Sequence, residues 1–171
     1  IGEDNQISLK SKNYSIQQLS KNKLDEYIKQ KISSFEENEH WSDLLNLSLS
    51  SDKNILGLKI NGSKIPPIEI FSHASSNSLT AKTLVIFIEN NCDVELLQVN
   101  LGEKNSSLSQ STFLCLEANS SLNHGVVSYG ENKSHLLNSL NVIQQKNSEY
   151  NLGSLHFKFN YARFEIRIKQ S

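Results

Sequence analysis

The chain has 171 residues, with 17 Lys plus Arg against 18 Asp plus Glu, and 37% of it is apolar. The even charge balance gives no electrostatic basis for binding nucleic acid or an anionic membrane, and no apolar run approaches the roughly 20 residues of a spanning helix. Val, Ile, Leu and Phe still occur in runs, which excludes global disorder, and the length allows one or two domains.

Asn and Ser are abundant, as suits a chain with many turns. Two cysteines, Cys92 and Cys115, without a C-x-x-C pair fit a reducing compartment. The N-terminus shows no basic-then-apolar signal pattern. Methionine is absent, even at position 1, so a mature product or, in preference, an excised internal segment is expected.

In chain order, Ile7/Leu9 and Tyr14/Ile16 alternate and predict one or two short edge strands. Ser20 can cap a helix. Leu24, Ile28, Ile32 and Phe35 recur at helical spacing, which predicts a helix over 21–35. Trp41, Leu44, Leu45 and Leu47 predict a second, shorter one, and Glu36 to Glu39 reads as a solvated connection. Residues 1–50 thus form an N-terminal segment with one or two helices, and 51–171 form the β region.

From Asn54 the period becomes two. Ile55 to Ile60 reads as a strand, Asn61-Gly62 as a turn, and Ile65 to Phe71 as a strand kept from a central ladder by Pro66 and Pro67. Ser72 to Thr80 and Gly102 to Ser109 read as polar loops. Strands follow at Leu84 to Ile88, Val94 to Leu101, Thr112 to Leu116, Leu122 to Tyr129, Leu136 to Ile143, Tyr150 to Phe159 and Ala162 to Lys169. The segments ending in Glu89 and Glu117 follow one plan: apolar strand, Glu, Asn-containing turn, apolar strand. Repetition of that plan at a fixed interval is the mark of a coiled β-solenoid. No link is long enough for a crossover helix, so parallel strands require the chain to coil. The expected fold is mainly β, a parallel β-helix (a single-stranded solenoid) after a short helical region.

Leu45-Asn46, Gly57-Leu58-Lys59-Ile60-Asn61-Gly62 and Pro67-Ile68-Glu69-Ile70 resemble the entry into the core of the SufB/SufD family of iron–sulfur assembly scaffolds. Leu84-Val85-Ile86, Asn119-Ser120-Ser121-Leu122-Asn123-His124, Asn147-Ser148-Glu149-Tyr150 and Ala162-Arg163-Phe164-Glu165-Ile166 follow that family's order and spacing, closer to SufD than to SufB. Gln98-Val99 departs from it, where the family often has Glu before an aromatic and a glycine.

The resemblance implies a right-handed parallel β-helix in a cytoplasmic or plastid-stromal SufBCD complex. It implies a non-catalytic scaffold with SufB-like and SufC-like partners. An Fe–S cluster and ATP belong to the whole complex, not to this segment. The family's helical SufC-contacting domain lies C-terminal to the coil, so the chain is expected to stop near mid-coil. That would expose an edge at Phe164 to Lys169 for another chain, as in a homodimer.

Cys92, expected exposed in a turn, and Cys115, expected buried on a strand, are weak ligand candidates because cluster sites want several close ligands. His124 and His135 are weak metal candidates if neighbouring rungs bring them together. Arg163 is expected to anchor a carboxylate or carbonyl across rungs, and Glu89 and Glu117 to cap turns. No hydrolase, zincin or P-loop motif occurs, so an enzyme is not expected. The rival reading is a carbohydrate-active or carbohydrate-binding β-helix, an argument from fold alone.

Overall fold

The computed structural model describes residues 8–31 and 54–170. The second predicted helix and the later part of the first lie outside them. Two short strands come first, β1 (Ser8–Lys10) and β2 (Tyr14–Gln18), followed by helix α1 (Lys21–Lys31). Nine strands follow: β3 (Ile55–Gly62), β4 (Ile68–Ala74), β5 (Leu79–Ile88), β6 (Asp93–Gly102), β7 (Ser107–Leu116), β8 (Ser121–Gly130), β9 (His135–Gln144), β10 (Glu149–Phe157) and β11 (Tyr161–Gln170).

From β3 on, the chain winds as a flattened parallel β-solenoid of about four turns. Odd strands form sheet A, in the order β1-β2-β3-β5-β7-β9-β11; even strands form sheet B, in the order β10-β8-β6-β4. Leu79 lies opposite Ser107 and Ser107 opposite His135, while Asp93 lies opposite Ser121 and Ser121 opposite Glu149. All four steps share one interval. Only the last step in sheet A is shorter: Tyr161, rather than Arg163, lies opposite His135. β1 and β2 join antiparallel to this sheet, with Ile16 opposite Ile60.

Four-residue corners set the interval. Non-glycine residues with φ near 57–60° recur at even spacing, twice per rung, at Asn77, Asn91, Asn105, Asn119, Lys133 and Asn147. Each is the third residue of a turn, where types with φ above zero favour Gly or Asn. The fourth residue closes the turn. Ser106 donates its N–H (3.1 Å) and Oγ–H (2.6 Å) to the Glu103 carbonyl, and Ser78, Ser120, Ser134 and Ser148 repeat this on their own turns. Successive corners also bond to each other: Asn91 N–H donates to the Ala118 carbonyl (3.2 Å), and Asn147 Nδ2 donates to Asn119 Oδ1 (3.2 Å).

Ile60, Leu84, Ile86, Ile88, Leu114, Leu116, Leu122, Leu140 and Val142 fill one half of the interior. The other half is largely polar, and many of its side chains pair internally, although Asn138 Nδ2 and the His156 ring find no partner. Thr112 Oγ1 donates to Gln98 Oε1 (3.2 Å), Ser72 Oγ to Gln110 Oε1 (2.7 Å), and Asn100 Nδ2 to Ser128 Oγ (3.1 Å). Buried polar groups without such bonds would be costly.

Outside sheet A, α1 covers one end. Leu24 packs with Val85, Phe87, Phe113 and Cys115, and Gly57 allows the approach, since a Cβ there would meet Leu24 Cδ1 at 2.8 Å. At the opposite corner, Ala74, Gly102 and Gly130 stack in register. Phe159 fills the space they leave, and a Cβ on Gly130 would come within 2.5 Å of its ring.

Two boundaries differ from the sequence reading. The Asn61-Gly62 turn falls later: β3 runs through Gly62, and Lys64 takes the left-handed position. The two predicted polar loops are partly strand, with only their four-residue corners left, because β4 runs to Ala74, β5 begins at Leu79 and β7 begins at Ser107. Ser107, Ser109 and Ser111 occupy ladder positions that propensity alone would not assign.

The corner geometry predicts that Asn119→Ala lowers stability by about 1–2 kcal/mol in urea unfolding, while Asn119→Gly costs less. Equal losses would mean that the side-chain ladder, not the left-handed backbone, matters at this corner.

Candidate interaction face

Sheet B is built from strands that alternate buried and exposed along their length, most regularly in β6 and β8. The buried set faces the interior; the other set forms an outer wall. In-register stacking turns that wall into columns. Phe71, Val99, Val127 and Leu155 form one; His73, Leu101, Tyr129 and Phe157 form the next. Phe71 is 64% exposed, Leu155 58% and Phe157 46%, so these columns are an open apolar surface. Parallel sheets are usually covered on both faces, and contiguous apolar surface commonly marks an interaction site.

Beside them lies a shallow groove of about 560 Å³, where Gly125 and Gly153 stack between Glu69, Glu95 and an Asn123–Asn151 pair. Asn151 Nδ2 donates to Asn123 Oδ1 at 3.1 Å. At the far corner, Glu103 accepts hydrogen bonds from Ser76 N–H (2.8 Å) and Oγ–H (2.7 Å), and its Oε1 lies 2.9 Å from His73 Nε2. The bonds from Ser76, then His73, hold this carboxyl below its usual range. Sequence reasoning misses the apolar columns as a face, because their members sit one per strand, a full rung apart, and no local window contains two of them.

The residues singled out in the sequence fall in different places. Cys92 is fully buried, not exposed. It takes the corner position that Ser fills elsewhere, with Sγ 3.6 Å from the Asn90 carbonyl, and burial pushes its thiol pKa up. Cys115 is buried, on the outer side of sheet A beneath α1. His124 and His135 are not brought together: His124 faces the interior of sheet B, and His135 is exposed on sheet A, 3.5 Å from Ser107 Oγ. Among the described residues, no three His, Cys, Asp or Glu gather to hold a metal.

Arg163 pairs with Glu165 two residues along its own strand, rather than across rungs. Glu89 Oε1 lies 2.5 Å from Lys59 Nζ, and Lys59 also donates to Tyr27 Oη (3.0 Å), tying the β5–β6 corner to β3 and α1. Glu117 serves its turn through its main-chain carbonyl, which accepts the Ser120 N–H and Oγ–H.

His124 is the main buried titratable group. Its Nδ1 lies 3.0 Å from Tyr150 Oη, while its Nε2 is buried without a partner. Burial lowers its pKa from 6.5 to about 4 and raises that of Tyr150.

The class defined by this architecture is a parallel β-solenoid whose sheet B presents, among the described residues, an exposed apolar wall. The chain matches no family model, no curated protein and no solved structure. No helix among the described residues is long and apolar enough to cross a membrane.

Because the folded protein disfavours charged His124, the unfolded chain binds more protons between pH 6.5 and about 4. Stability is therefore full above pH 6.5 and falls as pH drops through that window, by up to about 3 kcal/mol. His156, whose pKa burial also lowers, acts in the same direction. Urea midpoints against pH check this, and His124→Gln should flatten the slope. In a second test, neither cysteine should react with a thiol reagent until the chain is denatured. Prompt labelling of Cys92 in the native protein would contradict its burial.

Proposed function

We propose that the chain is a non-catalytic scaffold segment of a Suf-type iron–sulfur assembly complex, acting by binding SufB-like and SufC-like subunits. The observation that carries this reading is the parallel coil itself, with its constant register from rung to rung. The resemblance segments within the described residues fall in order along that coil. Gly57 to Gly62 lies in β3 and Pro67 to Ile70 at the start of β4, followed by Leu84 to Ile86 in β5. Asn119 to His124 forms the corner into β8, Asn147 to Tyr150 the corner into β10, and Ala162 to Ile166 lies in β11. A coil cross-braced at every corner keeps its outer surfaces in fixed relation, which is what a scaffold needs. In this reading the cluster and ATP belong to the partners, and the compartment is cytoplasm or plastid stroma.

Co-expression of the full-length protein with tagged SufB-like and SufC-like subunits tests this. Co-elution at fixed stoichiometry is expected; elution of the chain alone would remove the Suf assignment.

A second reading, sugar binding, is favoured by exposed Phe71, Tyr129 and Phe157 on the same outer face as the Asn123–Asn151 pair. Calorimetric titration with neutral and acidic polysaccharides tests it. Binding lost in Tyr129→Ala would support that reading over the first.

A further inference from the structure

We propose that the outer wall of sheet B docks a basic, amphipathic peptide segment of a protein partner. The inference does not depend on the Suf reading, because it rests on the chemistry of the wall alone.

Two properties lie side by side on this wall. One is the pair of apolar columns, with Phe71, Leu155 and Phe157 the most exposed members. The other is acidic: Glu69, Asp93, Glu95 and Glu149 point outward along the opposite side of the same strands. The four strands contain no Lys or Arg. The chain as a whole is balanced, at 17 basic to 18 acidic residues, so their one-sided charge is local. His73 stands at the apolar end, held by Glu103, and Lys158 borders that end with its Nζ 3.1 Å from Tyr129 Oη. An occupant must therefore offer apolar side chains to the columns and cations to the acidic flank. Charge complementarity of this kind selects partners and speeds encounter. It also disfavours an anionic lipid surface, which the carboxylates would repel.

β6 and β8 are paired along both edges, so an occupant of their face contributes side chains rather than an added strand. Four strands at about 4.8 Å spacing and five outward positions about 6.7 Å apart give a wall of roughly 14 by 27 Å. A helix of about 18 residues spans the longer dimension. An area on the order of 400 Å² per partner lies at the low end for specific contacts, so the complex is transient, with micromolar affinity.

The test uses the full-length protein and a fluorescent synthetic helical peptide of about 18 residues whose wall-facing positions carry Lys along one half of its length and Leu along the other. Its Lys→Glu analogue is the control. Anisotropy should show micromolar binding of the cationic peptide, weakening as salt rises, and none of the anionic one. Glu69→Gln/Glu95→Gln/Glu149→Gln should weaken binding about tenfold, and Phe71→Ser/Leu155→Ser by a similar factor. Circular dichroism confirms that the variants fold; should one not fold, the salt dependence and the anionic control on the unsubstituted protein still decide.

Equal binding of both peptides, or binding unaffected by salt and by the variants, would overturn the proposal. So would preferential binding of phosphatidylserine vesicles or polysaccharide to this wall, or self-association lost in the same variants. Each would put a different occupant there. A failed peptide experiment would leave co-elution with Suf subunits untouched, so the two proposals fail separately.

Discussion

The fold hangs on its corners. At even spacing from Asn77 to Asn147, one residue per corner takes a left-handed backbone, and a closing Ser or Cys follows it. An L-residue other than Asn or Gly resists that conformation by about 1–2 kcal/mol. Placing Asn at all of these sites but Lys133 therefore removes much of the strain that would build up through the coil. With corners of equal length, strands of equal length follow, and each ladder position meets its counterpart one full rung on. The corner between β10 and β11 is shorter than the others, and its Phe159 turns inward to fill the small-residue column of Ala74, Gly102 and Gly130.

Fixed register has consequences inside and out. Inside, like meets like, so apolar side chains stack in one half and Gln98, Asn100, Gln110 and Thr112 bond polar neighbours in the other. His124 Nε2, Asn138 Nδ2, Asn141 Nδ2 and the His156 ring are buried without partners, and the buried His124 ring is expected to make the coil less stable in acid. Outside, sheet A is closed at one end by α1, while sheet B keeps a flat wall with apolar and acidic columns. The peptide-docking proposal uses that wall, whereas the scaffold reading uses the constant register of the coil.

The full-rung interval is legible in the sequence because Glu89 and Glu117 end matching apolar strands. The half-rung interval is not, because corners such as Glu103-Lys104-Asn105-Ser106 and Glu131-Asn132-Lys133-Ser134 share only a Glu and a closing Ser within polar surroundings. Ser107 to Ser109 reads as loop for the same reason, and only the neighbouring rungs make it strand. Cys92 reads as exposed because a turn usually faces water; in a solenoid the fourth corner residue points inward. The wall is invisible in the sequence because stacking assembles it from residues far apart along the chain. That information lies in the register rather than in any one segment.

Everything rests on neighbouring strands running parallel at a constant offset. Amide–amide nuclear Overhauser contacts across sheet B test this directly. Contacts linking β6 to β8 and β8 to β10 are expected at one constant difference in residue number, as Asp93 meets Ser121 and Ser121 meets Glu149. Contacts between sequence-adjacent strands whose residue numbers have a constant sum would mean an antiparallel meander, and the coil, its corners and its wall would all be wrong.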